Sequence, residues 1–147
     1  MTETAKKTAT VRVSRRFEAS PERVFDAWLE PNVAARFLFA TPAGTMIKAE
    51  IDPRVGGHFT FTDRRPDMGD VEHVGTWLEI ERPRRLVFEF AVPAYDPTRT
   101  RITLDFAADG AGCALTLTHE GVFEEYVSQT NHGWGMILDG LARALAG

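Results

Sequence analysis

Residues 102–119 read ITLDFAADGAGCALTLTH, with an alternating pattern on each side of a turn. Large apolar residues stand at every second position, first at 102, 104 and 106 and again at 115 and 117. The triplet Ala-Asp-Gly at 108–110 separates the two halves and is typical of a tight turn. The stretch therefore predicts two antiparallel strands, each with one apolar face and one polar face.

The same period of two extends upstream from residue 45. Its apolar positions are Ile47, Ala49 and Ile51, then Phe59 and Phe61, then Val74, Leu78 and Ile80, and finally Leu86, Phe88, Phe90 and Val92. Glycines and prolines separate these sets, which favours short turns. The pattern predicts about six consecutive antiparallel strands with one buried face. On this parity, His58, His73 and Trp77 are expected to point away from that face.

Helical patterns flank the strands at both ends. Residues 10–19 predict a first strand, and Ser20-Pro21-Glu22 then has the capping serine, first-turn proline and acid that begin a helix. A second short helix is expected over residues 32–37. In the tail, apolar residues follow helical spacing at Trp134, Leu138, Leu141 and Leu145. The sequence therefore predicts an α+β fold in which a curved sheet of six to seven strands wraps around a long C-terminal helix.

Composition narrows the class of protein further. The 147 residues carry 17 Lys and Arg against 21 Asp and Glu, a formal net charge of −4, and 44% of them are hydrophobic. A chain of this length and composition can bury a sizeable core, which excludes a disordered or disulfide-scaffold protein. The mild acidity argues against a nucleic-acid partner. We expect a flexible segment over residues 1–9 and a single domain over residues 10–147.

The expected location is the cytoplasm. No apolar stretch reaches the roughly 20 residues that span a membrane, so no membrane association is expected. The first ten residues contain two lysines with no apolar segment after them, which does not fit a signal peptide. The single cysteine, Cys113, has no partner for an intramolecular disulfide, and its sequence neighbours do not suggest an activated thiolate.

Five segments, in this order, resemble a known family over nearly the whole chain. They are residues 19–28 (ASPERVFDAW), 55–61 (VGGHFTF), 75–88 (GTWLEIERPRRLVF), 115–121 (LTLTHEG) and 133–141 (GWGMILDGL). Together they resemble the helix-grip fold of the START and birch-pollen-allergen-like (SRPBCC) superfamily. Within that superfamily they are most similar to the group of the activator of the heat-shock protein 90 ATPase. The resemblance is specific for fold and supplies no catalytic motif.

The resemblance implies a hydrophobic ligand held between sheet and helix, and in some members polyketide cyclase or aromatase activity. Large side chains on the predicted inner face of the sheet, after the short helices and on the C-terminal helix are the candidate ligand-binding residues. They are Phe37, Phe39, Phe61, Phe88, Phe90, Phe106, His119, Trp134 and Leu138. Ordinary core packing is the alternative for each of them. The chaperone-activating members of the resembled family carry a further N-terminal domain that these 147 residues do not contain.

His119 is the one candidate for catalysis, because it shares the parity of Leu115 and Leu117 and is expected to face the interior. A core histidine bonded to a neighbour is the alternative. His132 lies near the start of the last helix. No histidine pair has the spacing of a metal site, and neither a phosphate loop nor a nucleophile elbow occurs, so we expect neither metal nor cofactor.

Three functions stay open on the sequence. The leading hypothesis is binding of an apolar or aromatic small molecule without demonstrated catalysis. The second is an enzyme, a polyketide cyclase, aromatase or hydrolase, that uses His119. The third is a chaperone-regulating or other protein-interaction domain, which predicts a filled core and an exposed apolar patch instead of a cavity. An exposed edge strand also permits a homodimer.

Overall fold

Seven strands and three α-helices occur in the computed structural model, which describes residues 7–146. In chain order they are β1 (Thr8–Phe17), α1 (Pro21–Ala27), α2 (Pro31–Ala34), β2 (Thr45–Ile51), β3 (His58–Arg65), β4 (Gly69–Glu81), β5 (Arg85–Val92), β6 (Asp96–Asp109), β7 (Gly112–Phe123) and, after a single 3-10 turn (Glu124–Tyr126), α3 (Val127–Ala146). Strand β1 begins before the expected residue 10, because Thr8 and Ala9 still pair with the end of β7. Residues 1–6 of the expected flexible segment, and residue 147, lie outside the described residues.

All strands belong to one antiparallel sheet in the order β1-β7-β6-β5-β4-β3-β2. From β2 to β7 the chain follows a simple meander, and β1 adds to the far side of β7. The register shifts at four of the six strand pairs, and such bulges bend and twist a sheet. The result is the curved antiparallel sheet that the alternating pattern predicts.

The first short helix begins where its capping residues predict, whereas the second covers Pro31–Ala34 rather than the expected residues 32–37. The Ser20 hydroxyl accepts a hydrogen bond from the Arg23 backbone N–H at 3.2 Å, and Pro21 is the first helical residue of α1. A second proline, Pro31, begins α2. Neither helix is long enough to be stable alone, and both are held by buried side chains such as Val24, Phe25 and Ala34.

Helix α3 lies against the inner face of the sheet. Its buried residues include the predicted stripe of Trp134, Leu138, Leu141 and Leu145. A Cβ added at Gly140 would lie 3.3 Å from the Cβ of Phe37, so the glycine lets the segment after α2 approach the helix closely. A seven-strand sheet that wraps one long helix, with two short helices after the first strand, is the predicted fold.

Strand β4 differs from the prediction. Its inner face carries Val71, His73 and Trp77, all of them buried, whereas Val74 and Leu78 are only half-buried. His73 pairs directly with Phe61 of β3 and Trp77 with Phe88 of β5, and directly paired residues point to the same face. The expected outward orientation of His73 and Trp77 is therefore wrong.

The reason for the error is a bulge in the second half of β4. The register with β5 shifts between Trp77 and Glu79, so the strand changes parity there. Ile80 consequently packs against the core although it differs in parity from Trp77. Because the bulge reverses the parity, the pattern of Ile80 extended backwards along the strand predicts the wrong face for residues 71–77.

Candidate functional site

Aromatic rings from four strands, from helix α3 and from one connecting segment meet between the sheet and α3. Neighbouring rings have centroids between 4.3 and 6.3 Å apart, which is contact distance for aromatic pairs. We call this group the ring cluster; its members are Phe39, Phe59, Phe61, His73, Trp77, Phe88, Phe90, His119 and Trp134. The interior here is therefore occupied by protein rings that contact one another.

Six of the nine predicted ligand-binding residues belong to the ring cluster: Phe39, Phe61, Phe88, Phe90, His119 and Trp134. The other three are buried elsewhere in the core. Phe37 packs edge-to-face on Trp28 at 5.1 Å, and Phe106 packs the same way on Phe25 of α1 at 5.2 Å. Leu138 is fully buried on α3. Alternation along a strand predicts which face of the sheet a side chain is on, but not where on that face it lies relative to the neighbouring strands.

Three members of the ring cluster were not among the predicted site residues. Phe59 shares the parity of Phe61 in the same strand, so the alternating pattern contained a signal for it. His73 and Trp77 were missed because the bulge in β4 obscured their face. Without the strand pairing, no local feature of the sequence distinguishes their parity from that of Val74 and Leu78.

His119 has a hydrogen-bond partner at each ring nitrogen. The indole N–H of Trp134 donates to Nδ1 of His119 at 2.9 Å, and Nε2 lies 2.7 Å from the hydroxyl of Thr100. An indole nitrogen only donates, so Nδ1 is the acceptor and the proton of the neutral ring is on Nε2, which donates to Thr100. Burial lowers the pKa of His119 to about 4.

This geometry determines what His119 can do chemically. A general base needs a free lone pair within reach of the proton it removes. The lone pair of Nδ1 accepts from Trp134, and Nε2 carries the proton, so neither nitrogen offers one in this arrangement. The Thr100 hydroxyl accepts from His119 and keeps its own hydrogen for another acceptor. The site can therefore donate a hydrogen bond from the Thr100 hydroxyl to an uncharged ligand, but His119 has no lone pair left to accept a proton.

His73 is a second buried imidazole at the other side of the ring cluster. Its ring stacks on that of Phe39 with centroids 4.3 Å apart and planes 12° from parallel. Its Nδ1 lies 3.3 Å from the backbone carbonyl oxygen of Phe61, to which an N–H at this position donates. Burial is the main cause that lowers the pKa of His73 to about 4. Both imidazoles of the interior are therefore neutral near pH 7.

A buried carboxylate borders the ring cluster on β3. Asp63 receives a hydrogen bond from the Thr41 hydroxyl at 2.7 Å and pairs with Arg65, whose Nε lies 3.0 Å from the same oxygen, Oδ2. The other oxygen, Oδ1, is buried without a hydrogen-bond partner. A Cβ on Gly44 would lie within 2.5 Å of both oxygens, so the carboxylate faces the segment between α2 and β2.

Two open grooves lie on the surface. One, of about 580 Å³, runs between the segment after α2 and the second half of α3, and Phe37 is the only predicted site residue that borders it. The other, of about 560 Å³, lies beside α1 and the end of α3. Among residues 7–146, no group of three or more His, Cys, Asp or Glu side chains is arranged to hold a metal ion. Cys113 is buried, and burial raises the pKa of its thiol.

The comparison with family models assigns the chain over most of its length. Residues 18–146 match the model described as Activator of Hsp90 ATPase homolog 1-like protein. The chain belongs to this Activator of Hsp90 ATPase homolog 1-like family. Membership confirms the resemblance found in the sequence and places the chain among ligand-binding domains of the SRPBCC superfamily in general.

Solved structures support the fold of this family member. Protein CV1439 from Chromobacterium violaceum is 27% identical, with a TM-score of 0.84 over 94% of this chain and 97% of that one. The AHSA1-like protein from Aeromonas hydrophila is 25% identical, with a TM-score of 0.78 over 92% of each chain. CalU16 from Micromonospora echinospora is 23% identical, with a TM-score of 0.69 over 97% and 87%, respectively.

The search of curated proteins found no significant match for this family member. Within the described residues, α3 is the longest helix, and no helix combines the length and apolar character needed to cross a membrane.

Proposed function

We propose that the chain binds an apolar or aromatic small molecule between the sheet and α3 and does not transform it chemically. The engagement of both nitrogens of His119 carries the proposal, because it leaves the one candidate base without a free lone pair. Membership in a family of ligand-binding domains supports the binding function. The ring cluster supports the chemical class, since rings and two neutral imidazoles favour an uncharged aromatic partner.

The test begins with native mass spectrometry of the protein as purified, followed by a thermal-shift screen of uncharged aromatic compounds. A ligand that binds only the folded state raises the apparent stability, and the increase grows with the logarithm of its concentration once the site is saturated. We expect a retained small molecule or a stabilising class of compound. A screen in which no compound raises the melting temperature, together with no retained small molecule, would contradict the proposal.

The indole N–H signals of the three tryptophans locate the bound compound. Trp134 lies in the ring cluster, whereas Trp28 packs on Phe37 outside it. We expect the signal of Trp134 to shift and that of Trp28 to stay, with Trp134→Phe supplying the assignment. A compound that shifts only Trp28 binds elsewhere. If the native protein converts a bound compound chemically and His119→Ala abolishes that conversion, the protein is an enzyme instead.

A protein-interaction domain is the second candidate, and it is favoured by the interior filled by the ring cluster and by one surface feature. Met68 and Tyr95 are 50% and 61% exposed on neighbouring hairpin turns, and the Tyr95 hydroxyl lies 3.6 Å from the sulfur of Met68. Contiguous exposed apolar surface is a feature of interaction sites, and these two side chains form the start of such a surface. If this surface binds a protein, that protein should be recovered with the native chain in a pull-down. We expect the double variant Met68→Ser with Tyr95→Ser to lose it, while compound binding at Trp134 is unchanged.

A further inference from the structure

Phe39 has an unusual backbone conformation. Its φ of +60° is the only positive φ at a non-glycine residue within residues 7–146. It directly follows the turn that ends α2, where the Leu38 N–H still bonds to the Ala34 carbonyl at 2.8 Å. Glycine or asparagine normally stands at such a left-handed position, because a bulky side chain is strained there. The phenyl ring must therefore be held by its contacts.

Rings of the cluster surround Phe39. The Phe39 side chain is 5% exposed and stacks on His73, with Phe90 at 5.1 Å, Phe61 at 5.9 Å and Trp134 at 6.0 Å. Every other member of the ring cluster is carried by a strand or by α3. Phe39 alone belongs to a connecting segment, so its ring can leave the cluster without any strand or helix being broken.

The segment 39–44 is weakly attached to the sheet. Its backbone hydrogen bonds within the described chain are local, from Ala40 to Phe37 and from Gly44 to Thr41. One side-chain hydrogen bond connects it to a strand, from the Thr41 hydroxyl to Asp63. Few cross-links and a solvent-exposed middle, Pro42 and Ala43, are features of segments that open locally.

Asp63 is placed to receive a ligand when this segment opens. Its pairing partner Val71 is two residues from His73 along β4, so the carboxylate lies about 7 Å along the inner face from the Phe61–His73 pair. Both of its oxygens face the segment, and Oδ1 has no hydrogen-bond partner. A hydroxyl on a ring stacked over His73 would point toward this acceptor, and a bond to a carboxylate is a strong one.

From this geometry we infer that Phe39 occupies the ring subsite of a phenol, which binds by displacing Phe39 from His73 and donating its hydroxyl hydrogen to the free oxygen Oδ1 of Asp63. The inference rests on the proposed function and deepens it, because it names the ligand class and the group that the ligand displaces. The Asp63 carboxylate accepts a hydrogen bond and repels an anion, so it favours the neutral phenol over the phenolate, and the stack on His73 favours a flat ring.

The first experiment uses the native sequence with 4-fluorophenylalanine at position 39. Titration with p-cresol is expected to move the fluorine signal away from its shielded position among the rings as the Trp134 indole signal shifts. A fluorine signal that stays in place while Trp134 responds overturns the displacement and leaves the proposed function intact. If p-cresol shifts neither signal, the subsite assigned to phenols is wrong, and the wider aromatic screen decides the proposed function separately.

The second experiment removes the ring. Phe39→Gly accepts the left-handed backbone and should bind p-cresol at least about tenfold more tightly than the native protein, because no ring has to be displaced. Phe106→Ala is the matched control, a cavity made beside Phe25 and outside the ring cluster, and its affinity at Trp134 should equal the native value. Equal affinity of Phe39→Gly and native protein, or binding to the variant alone, overturns the inference.

The ligand class has its own comparison. Toluene has the ring without the donor and should bind at least about tenfold more weakly than p-cresol, as expected for loss of a charge-assisted hydrogen bond. Equal affinities would overturn the contact with Asp63 and the assignment of a phenol.

Discussion

At the scale of single residues, the interior depends on which nitrogen of each imidazole carries the proton. His119 accepts at Nδ1 from Trp134 and donates from Nε2 to Thr100, whereas His73 donates from Nδ1 to a backbone carbonyl. The two rings are therefore opposite tautomers, each determined by its partner. His119 was predicted to face inward, but the partners that occupy both nitrogens lie on β6 and α3, far away in sequence.

Trp134→Phe tests the hydrogen bond between Trp134 and His119. The variant keeps a ring but leaves the buried Nδ1 without a donor, and we expect a loss of about 1–3 kcal/mol in the free energy of unfolding. In a His119→Leu background the same change should cost at least about 1 kcal/mol less, because no acceptor is orphaned. Urea denaturation of all four proteins measures this coupling, and additive effects would show that the hydrogen bond contributes nothing.

At the scale of elements, small residues decide how closely strands and helices approach. Gly75 of β4 lies beneath Phe59, and Gly140 of α3 lies against Phe37. By contrast, nothing lies within 4 Å of a Cβ at Gly133. The sequence shows where glycines interrupt a pattern, but only the neighbouring element reveals which of them is required.

Gly75→Ala is expected to destabilise the sheet by about 1–3 kcal/mol, the usual cost of overpacking a core. The new methyl group would lie 2.1 Å from the ring of Phe59 and 2.4 Å from the backbone oxygen of Glu89, so strand and ring both have to move. Thermal and urea unfolding measure the loss. A variant as stable as the native protein would mean that Phe59 has an alternative position in the cluster.

Two glycines of α3 make a matched pair. Gly133→Ala should stabilise the protein by about 0.5–1 kcal/mol, since alanine is the better helix former and the site is open. Gly140→Ala gains the same helix propensity but places its methyl 3.3 Å from the Phe37 Cβ, so its net gain should be smaller. Equal gains in the free energy of unfolding from both variants would show that the segment after α2 moves aside at no cost.

At the scale of the whole molecule, the two neutral histidines link stability to pH. The pKa values of His73 and His119 are lowered from 6.5 to about 4 in the folded protein, mainly by burial. Between pH 6.5 and 4 the unfolded chain therefore binds more protons than the folded one, and stability falls as the pH falls. Each shift corresponds to a loss on the order of 3 kcal/mol once the pH is below 4.

Urea denaturation at several pH values between 7.5 and 4 is expected to show a steep loss of stability, with about two protons taken up on unfolding near pH 5. His119→Leu should lower this uptake by about one proton. A pH profile that His119→Leu does not change would mean that the ring is already charged in the folded state.

The order of the elements, the curved antiparallel sheet and the apolar stripe of α3 could all be predicted from the amino-acid sequence. Alternation and helical spacing are local signals, and the five matching segments were enough to identify the family. Three features of the interior became visible only in the folded chain: the inner face of β4, the partners of His119, and the position of Phe39 among the rings. These depend on strand register, bulges and the height of each side chain along the sheet, which arise from pairing between distant segments and leave no local pattern.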